Sequence, residues 1–210
     1  MARTSHAPGF RERLQRRVGA FERRAIVDVT LVRAAVAITI VGDDNDDAAF
    51  ILTRRPLTLR RHAGQWALPG GRADESESAS DAALRELHEE VGLELDDNDV
   101  IGALDDFETR SGFVITPVVV WGPAQPTLVP DPAEVHAVHC VPLETLDAPG
   151  VPKITQGTTS QRPLIRFPLP LLDTTVWAPT AAMLYQAREV LLHGRATRVS
   201  HFEQPRWAWK

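Results

Sequence analysis

The chain has 210 residues, of which 43% are hydrophobic and 24% are charged, and its formal net charge is -5. This length suits one α/β domain of roughly 150 residues with extensions more readily than two full domains. The single cysteine, Cys140, excludes an intramolecular disulfide and a cysteine metal cluster. Prolines interrupt the longest uncharged run, residues 111–130, so we expect no membrane span.

The charge is spread unevenly along the chain. Residues 1–24 carry seven arginines against two glutamates, a net of +5, so the remaining residues carry -10. An acidic body argues against a general nucleic-acid surface, and we expect no nucleic-acid partner. Apolar residues at helical spacing predict a leading helix that packs on the domain, in preference to an organellar transit peptide: Phe10, Leu14, Val18 and Phe21. Since one cysteine fits a reducing compartment, we expect a cytoplasmic protein.

A hairpin is predicted after this helix. Residues 33–41 form a continuous apolar run rich in β-branched side chains, which is typical of a buried central strand. Residues 42–47 read as its turn and residues 48–53 as the second strand. A basic loop over residues 54–64 then leads to Gly70 and Gly71.

A helix is predicted over residues 78–91. Ser78 is a plausible N-cap with Asp81 three residues on, and Gly92 is a stop signal. The apolar residues of this helix gather on one side: Ala83, Leu84, Leu87 and Val91. Three glutamates gather roughly opposite: Glu86, Glu89 and Glu90.

These three glutamates are the candidate metal ligands. Carboxylates three and four residues apart on a helix repel each other, and a divalent cation removes that penalty. Oxygen ligands favour Mg²⁺ or Mn²⁺ over Zn²⁺. Glu86 and Glu90, one turn apart, are the first choice as ligands, with Glu89 as a third ligand or as the activator of a water molecule. The alternative is an acidic helix face that is simply solvated.

The rest of the chain predicts further sheet and a closing helix. Two strands flank a turn at residues 110–112, and a strand, a short helical turn, a loop, a further strand and a helix follow. We predict strands over 100–109, 113–121, 134–141 and 163–167, a short helical turn over 142–146, a mobile loop over 147–160, and a helix capped by Asp173 or Thr175 that runs through residue 191.

Nine positions of residues 71–93 follow the spacing G-x5-E-x7-R-E-U-x-E-E-x-G-U, where U is aliphatic: Gly71, Glu77, Arg85, Glu86, Leu87, Glu89, Glu90, Gly92 and Leu93. The chain thereby resembles the Nudix hydrolases at every position of their signature. The resemblance implies an α/β fold, the Nudix-type α/β/α sandwich with a mixed sheet, over residues 33–193. Residues 1–32 would be an N-terminal helical extension and residues 194–210 a C-terminal tail.

The resemblance also implies a reaction, the hydrolysis of a nucleoside diphosphate linked to another moiety by water attack on phosphorus. The partner would be a small-molecule diphosphate, and Mg²⁺ or Mn²⁺ the cofactor. The family implies that the carbonyl of Gly71 completes the metal coordination. Arg85 and Glu77 would form a pair that holds the glutamates in place. Glu134, outside the signature, could reach the metal, although we favour a role in bracing the sheet.

A second signature lies upstream and resembles that of the coenzyme A diphosphatases, L-L-T-x-R-[SA]-x3-R-x3-G-x3-F-P-G-G. It matches residues 51–71 with three departures, Ile51, Pro56 and Leu68. Its two arginines, together with two glycines, are the candidate substrate-binding residues: Arg55, Arg60, Gly70 and Gly71. The implied substrate is coenzyme A or a derivative, cleaved to 3′,5′-ADP and (acyl-)4′-phosphopantetheine.

Three alternatives remain open from the sequence. The chain could be a Nudix pyrophosphatase for another substrate, such as ADP-ribose or NADH. It could also be a Nudix fold that binds a ligand without cleaving it, or a decapping-like enzyme, although no aromatic-interleaved basic platform supports RNA binding. The tryptophans of residues 207–210 would cover the core or a homodimer contact.

Overall fold

The computed structural model describes residues 4–58, 63–157 and 162–205, so the role predicted for the tryptophans of residues 207–210 lies outside the described residues. Its helices are α1 (Pro8–Gly19), α2 (Ala79–Val91) and α3 (Thr180–Ala187), with a π-helical turn at Arg188–Leu192. Its strands are β1 (Val32–Gly42), β2 (Ala48–Arg54), β3 (Trp66–Ala67), β4 (Gly70–Arg72), β5 (Val100–Ala103), β6 (Phe107–Glu108), β7 (Phe113–Trp121), β8 (Ala137–Pro142), β9 (Lys153–Gln156), β10 (Pro163–Leu169) and β11 (Thr174–Trp177).

The main sheet is mixed, as predicted, and β1 lies at its centre. The path through it is β3-β2-β1-β7-β5, while β4 also pairs with β1, β6 with β7 and β8 with β2. β1 runs parallel to β7 and antiparallel to β2 and β4. The predicted hairpin is confirmed by the register of Ile40 opposite Phe50. This arrangement leaves the short strand β4 beside the central strand.

Helices cover both faces of the sheet because successive side chains of β1 point to opposite sides. One apolar cluster joins α2 to one face of the sheet and includes Ala35, Ala37, Val41, Ala82, Ala83, Leu87 and Val91. The other joins α1 and α3 to the opposite face and includes Ile38, Ile40, Phe10, Leu14, Val18, Ala181 and Leu184. The prediction that α1 packs on the domain is therefore confirmed.

A smaller antiparallel sheet, β11-β10-β9, corrects two predictions. β9 occupies part of the segment predicted as a mobile loop. β11 occupies the segment where a helix capped by Asp173 or Thr175 was predicted, and α3 begins only at Thr180. The physical reason is tertiary pairing: β11 matches β10 residue for residue from Arg166–Trp177 to Leu169–Thr174, which overrides local helix preference.

Two predicted strands are shorter in the structure. The strand predicted over residues 100–109 is divided into β5 and β6, with a register shift between Val100 and Gly102. Between them lie Asp105 and Asp106, whose carboxylates are buried and accept hydrogen bonds from Arg198 and Arg23. The strand predicted over residues 134–141 begins at Ala137.

Among the described residues, no helix is long and apolar enough to cross a membrane.

Candidate active site

The glutamate-bearing helix α2 is fixed at both ends by its own sequence. Ser78 Oγ accepts a hydrogen bond from the Asp81 amide at 3.1 Å, and the Asp81 carboxylate accepts one from the Ser78 amide at 3.2 Å. Gly92 ends the helix at a φ of 70°, a left-handed conformation that favours glycine. Both predicted signals are confirmed, and the buried Leu87 fixes the rotation of the helix against the sheet.

Two glycines allow the strand β4 to pass close to the central strand and to α2. A Cβ atom at Gly70 would lie 2.3 Å from the Ala35 carbonyl oxygen. A Cβ atom at Gly71 would lie 2.3 Å from Glu86 Oε1. The Glu86 carboxylate therefore occupies the space that a side chain at position 71 would fill.

Three carboxylates meet beside these glycines, those of Glu86, Glu90 and Glu134. One oxygen of each lies within 4.8 Å of the others. Glu134 reaches the group because its loop is bonded to the end of α2: the Asp131 amide donates to the Glu90 carbonyl at 3.0 Å. The bracing role favoured for Glu134 is not supported, since its side chain is exposed and its carboxylate lies in this group. The all-oxygen donor set fits Mg²⁺ or Mn²⁺.

Burial and neighbouring negative charge raise the pKa of two members of this group. Glu90 is only 4% exposed, and burial raises its pKa to about 8, with a further contribution from the charge of Glu86. Arg55 and a backbone hydrogen bond from Gly70 oppose the rise in the Glu90 pKa. Burial also raises the pKa of Glu86, against the opposing effect of Arg85. A divalent cation would relieve this repulsion.

Arg85 connects the remaining acidic residues of the signature. Its Nη1 donates to Glu86 Oε1 at 2.9 Å and to Glu89 Oε2 at 2.8 Å, and its Nη2 donates to the Arg72 carbonyl at 3.0 Å. Its remaining partner is Glu77, which it contacts through both carboxylate oxygens. The Glu89 side chain is 52% exposed and is not part of the close group. The close group thus contains two of the three predicted glutamates, Glu86 and Glu90, together with Glu134.

A cavity of about 290 Å³ opens beside the glycines. Arg55 lines it, and no described group forms a hydrogen bond with the buried Nε atom of Arg55. Trp66 and Phe113 supply aromatic surface. Arg60, the other candidate substrate-binding residue, lies outside the described residues. The cavity therefore combines the positively charged guanidinium of Arg55 with aromatic rings, next to the carboxylate group.

Comparison with known proteins identifies the family. Residues 31–166 match the family model described as the NUDIX domain. The chain belongs to the Nudix family. This membership confirms the α/β fold class predicted from the sequence.

Curated relatives carry the same family name. Nudix hydrolase NudL of Pectobacterium atrosepticum is 40% identical over 113 residues, which are 53% of this chain and 58% of that protein. NudL of Photorhabdus laumondii is 36% identical over 155 residues, 73% of this chain and 81% of that protein. For several other relatives, the chain spans only about half of their length, for example 57% of the Cronobacter sakazakii NudL.

Solved structures give a weaker comparison. The MutT protein from Methanosarcina mazei Go1 is 24% identical and superimposes with a TM-score of 0.44, covering 61% of this chain and 86% of that chain. The family assignment therefore depends on the domain match and the curated relatives.

Proposed function

We propose that this protein is a metal-dependent diphosphatase that hydrolyses a nucleoside diphosphate linked to another moiety. The observation that supports the proposal is the group of three carboxylates beside a cavity lined by Gly70, Gly71 and Arg55. A diphosphate carries negative oxygens that repel an incoming nucleophile, so its hydrolysis needs positive charge and a positioned water molecule. The site offers residues for both needs.

Each residue has a proposed role. Glu86, Glu90 and Glu134 would hold Mg²⁺ or Mn²⁺, with the Gly71 carbonyl as a further oxygen ligand. When bound, the metal supplies positive charge against the phosphate oxygens. Glu89, half exposed and bonded to Arg85, would orient or deprotonate water from the solvent side. Arg85 and Glu77 would position these carboxylates through the bonds of Arg85 to Glu77, Glu86 and Glu89.

Coenzyme A or one of its derivatives is the proposed substrate. The support is the upstream signature, together with the position of Arg55 in the cavity wall, where no described residue accepts a hydrogen bond from its Nε atom. Arginine suits phosphate because its planar donor array matches phosphate oxygens. The products would be 3′,5′-ADP and (acyl-)4′-phosphopantetheine. ADP-ribose or NADH is the alternative substrate, and ligand binding without turnover is the alternative function.

A substrate panel tests this proposal. The protein is incubated with Mg²⁺ or Mn²⁺ and with coenzyme A, acetyl-coenzyme A, ADP-ribose, NADH or a dinucleoside polyphosphate, and products are identified by chromatography and mass spectrometry. We expect 3′,5′-ADP and 4′-phosphopantetheine from coenzyme A, and no product in EDTA. Cleavage of another substrate alone would retain the metal chemistry and reject coenzyme A. Binding without cleavage of any substrate would favour the ligand-binding function.

We also propose a cytoplasmic location, since the chain has one cysteine and needs no oxidising compartment. A homodimer remains a prediction, and light scattering after size-exclusion chromatography would test it. A monomeric mass at working enzyme concentrations would contradict the dimer without affecting the proposed reaction.

A further inference from the structure

One wall of the cavity is built by residues that follow the segment matched to the family. The match ends at residue 166, yet four residues beyond it line the cavity: Pro179, Thr180, Met183 and Gln204. Pro179 and Thr180 also line a second cavity of about 290 Å³, which shares Trp66 with the first. The C-terminal part of the chain therefore shapes the space available to a substrate.

Gln204 is held at this wall by the turn between β6 and β7. Its Oε1 atom accepts a hydrogen bond from the Arg110 amide at 3.1 Å. The preceding residue, Glu203, forms an ion pair with the Arg110 guanidinium, and its amide donates to the Pro163 carbonyl at 2.9 Å. The Glu203 side chain is 5% exposed. The contacts of Glu203 and Gln204 with Arg110 and Pro163 fix Gln204 in a defined position at the cavity.

The chemistry of the cavity differs from one part of its lining to another. Gly71 and Arg55 line the part of the cavity next to the carboxylates, where a diphosphate would lie. Gln204, Thr109 and Ser111 supply neutral polar groups, and the two hydroxyl oxygens of Thr109 and Ser111 are 3.1 Å apart. Aromatic side chains also line the space, and flat heteroaromatic rings pack well on such surfaces.

We propose that Gln204 is a specificity-determining residue that contacts the nucleobase of the substrate. An amide can donate and accept hydrogen bonds at once, which matches the edge of a base better than it matches a phosphate. This inference rests on the proposed function, because it takes the substrate to contain a nucleoside diphosphate. It assigns substrate selection to a segment outside the family match.

Binding of AMP, measured by calorimetry in Mg²⁺ buffer, tests the inference without turnover, because AMP has no phosphoanhydride bond. Ribose 5-phosphate, which lacks the base, is the matched ligand. Gln204→Ala should weaken AMP binding by about tenfold and leave ribose 5-phosphate binding within about twofold of wild type. Gln15→Ala, on an exposed site of α1, is the matched control variant and should change neither affinity.

A second variant separates substrate contact from simple support of the turn. Gln204→Glu keeps an oxygen that can accept from the Arg110 amide, and its added negative charge repels AMP and ribose 5-phosphate alike, so a purely structural role would change both affinities by the same factor. A base contact predicts a larger loss for AMP than for ribose 5-phosphate, with an increased KM and a nearly unchanged kcat on the substrate that the panel identifies. Equal losses for AMP and ribose 5-phosphate, or no AMP binding by the wild type, would overturn the inference. A wild type that binds AMP through Gln204 but cleaves nothing would instead contradict only the proposed function.

Discussion

Arg85 holds Glu77 through two parallel hydrogen bonds, from Nε to Oε1 at 2.9 Å and from Nη2 to Oε2 at 3.1 Å. The hydrogen bond from Arg85 lowers the pKa of Glu77, so the pair is charged at neutral pH. Because the same guanidinium also bonds Glu86 and Glu89, it fixes the separation between the buried carboxylates and the exposed one.

Arg85→Lys should lower turnover by about 10- to 100-fold, since lysine keeps the charge but cannot form the two parallel hydrogen bonds to Glu77. The metal concentration at half-maximal activity should rise in the same variant. Steady-state kinetics over a Mg²⁺ titration provides the measurement. Arg16→Lys, at an exposed site on α1, is the control. Wild-type metal dependence in Arg85→Lys would show that the bonds of Arg85 do not position the carboxylates.

Gly71→Ala should displace the Glu86 carboxylate, because the added Cβ would lie 2.3 Å from Oε1. The displaced group is the end of a flexible side chain, so the fold should remain intact while turnover falls by about 100-fold. Kinetics with a circular-dichroism melt measures both properties. Gly19→Ala is a suitable control because a Cβ atom added there would meet no side chain of the described residues within 4 Å. Full activity in Gly71→Ala would mean that the position of Glu86 against this glycine is not required.

Glu134→Gln and Glu89→Gln should differ in their effect on metal binding. Glu134 belongs to the close carboxylate group, so its neutralisation should weaken Mn²⁺ binding by about 10-fold or more. Glu89→Gln should reduce turnover more than it reduces Mn²⁺ affinity, since its carboxylate lies outside that group. Calorimetry with Mn²⁺ and initial rates measure the two effects. Glu75→Gln, at an exposed position, should leave both unchanged. The reverse order of metal affinities would exchange the proposed roles of Glu89 and Glu134.

Glu90 should make the metal-free protein less stable as the pH rises. Its folded pKa of about 8 lies above the ordinary value of 4.5, so the folded protein binds this proton more tightly than the unfolded chain does. The resulting stability is fully present below pH 4.5 and is lost as the pH rises through about 8. Denaturant unfolding in EDTA should therefore show a steeper decline over this window for the wild type than for Glu90→Gln.

Glu94→Gln, which changes an exposed carboxylate, is the control for this comparison and should follow the wild-type pH profile. Identical profiles for wild type and Glu90→Gln would contradict the raised pKa. Added Mg²⁺ should restore the wild-type stability at high pH and should have little effect on Glu90→Gln, because ligand binding to the folded state alone stabilises it.

The helix α2 could be predicted from the sequence because the interactions that define it are local. Ser78 and Asp81 cap each other across three residues, and an apolar stripe sets the buried face. The burial of Glu90 could not be read from the same pattern, which places this residue among solvated glutamates. Burial arises instead from β4 and from the loop at Asp131, which is bonded to the Glu90 carbonyl.

Pairing and contacts beyond the local sequence explain the other differences between prediction and structure. Glu134 reaches the carboxylate group through a loop, and no periodic pattern marks it. The strand β11 forms because it pairs with β10, although the sequence predicts the start of a helix in this segment. Gln204 is held at the cavity by its contact with Arg110. For Glu134 and Gln204 the deciding partner is distant along the chain, whereas β11 depends on pairing with the strand immediately before it.

The buried carboxylates of Asp105 and Asp106 draw their cations from opposite ends of the chain, Arg198 and Arg23. Both arginines lie outside the residues 31–166 that match the family. A fragment cut to that match would lose both ion-pair partners, together with buried apolar side chains that α1 and α3 add to the core, such as Leu14 and Leu184. The smallest autonomous folding unit is therefore longer at both ends than the segment shared with the family, and a crystallisation or expression fragment should extend at least from α1 to Arg198.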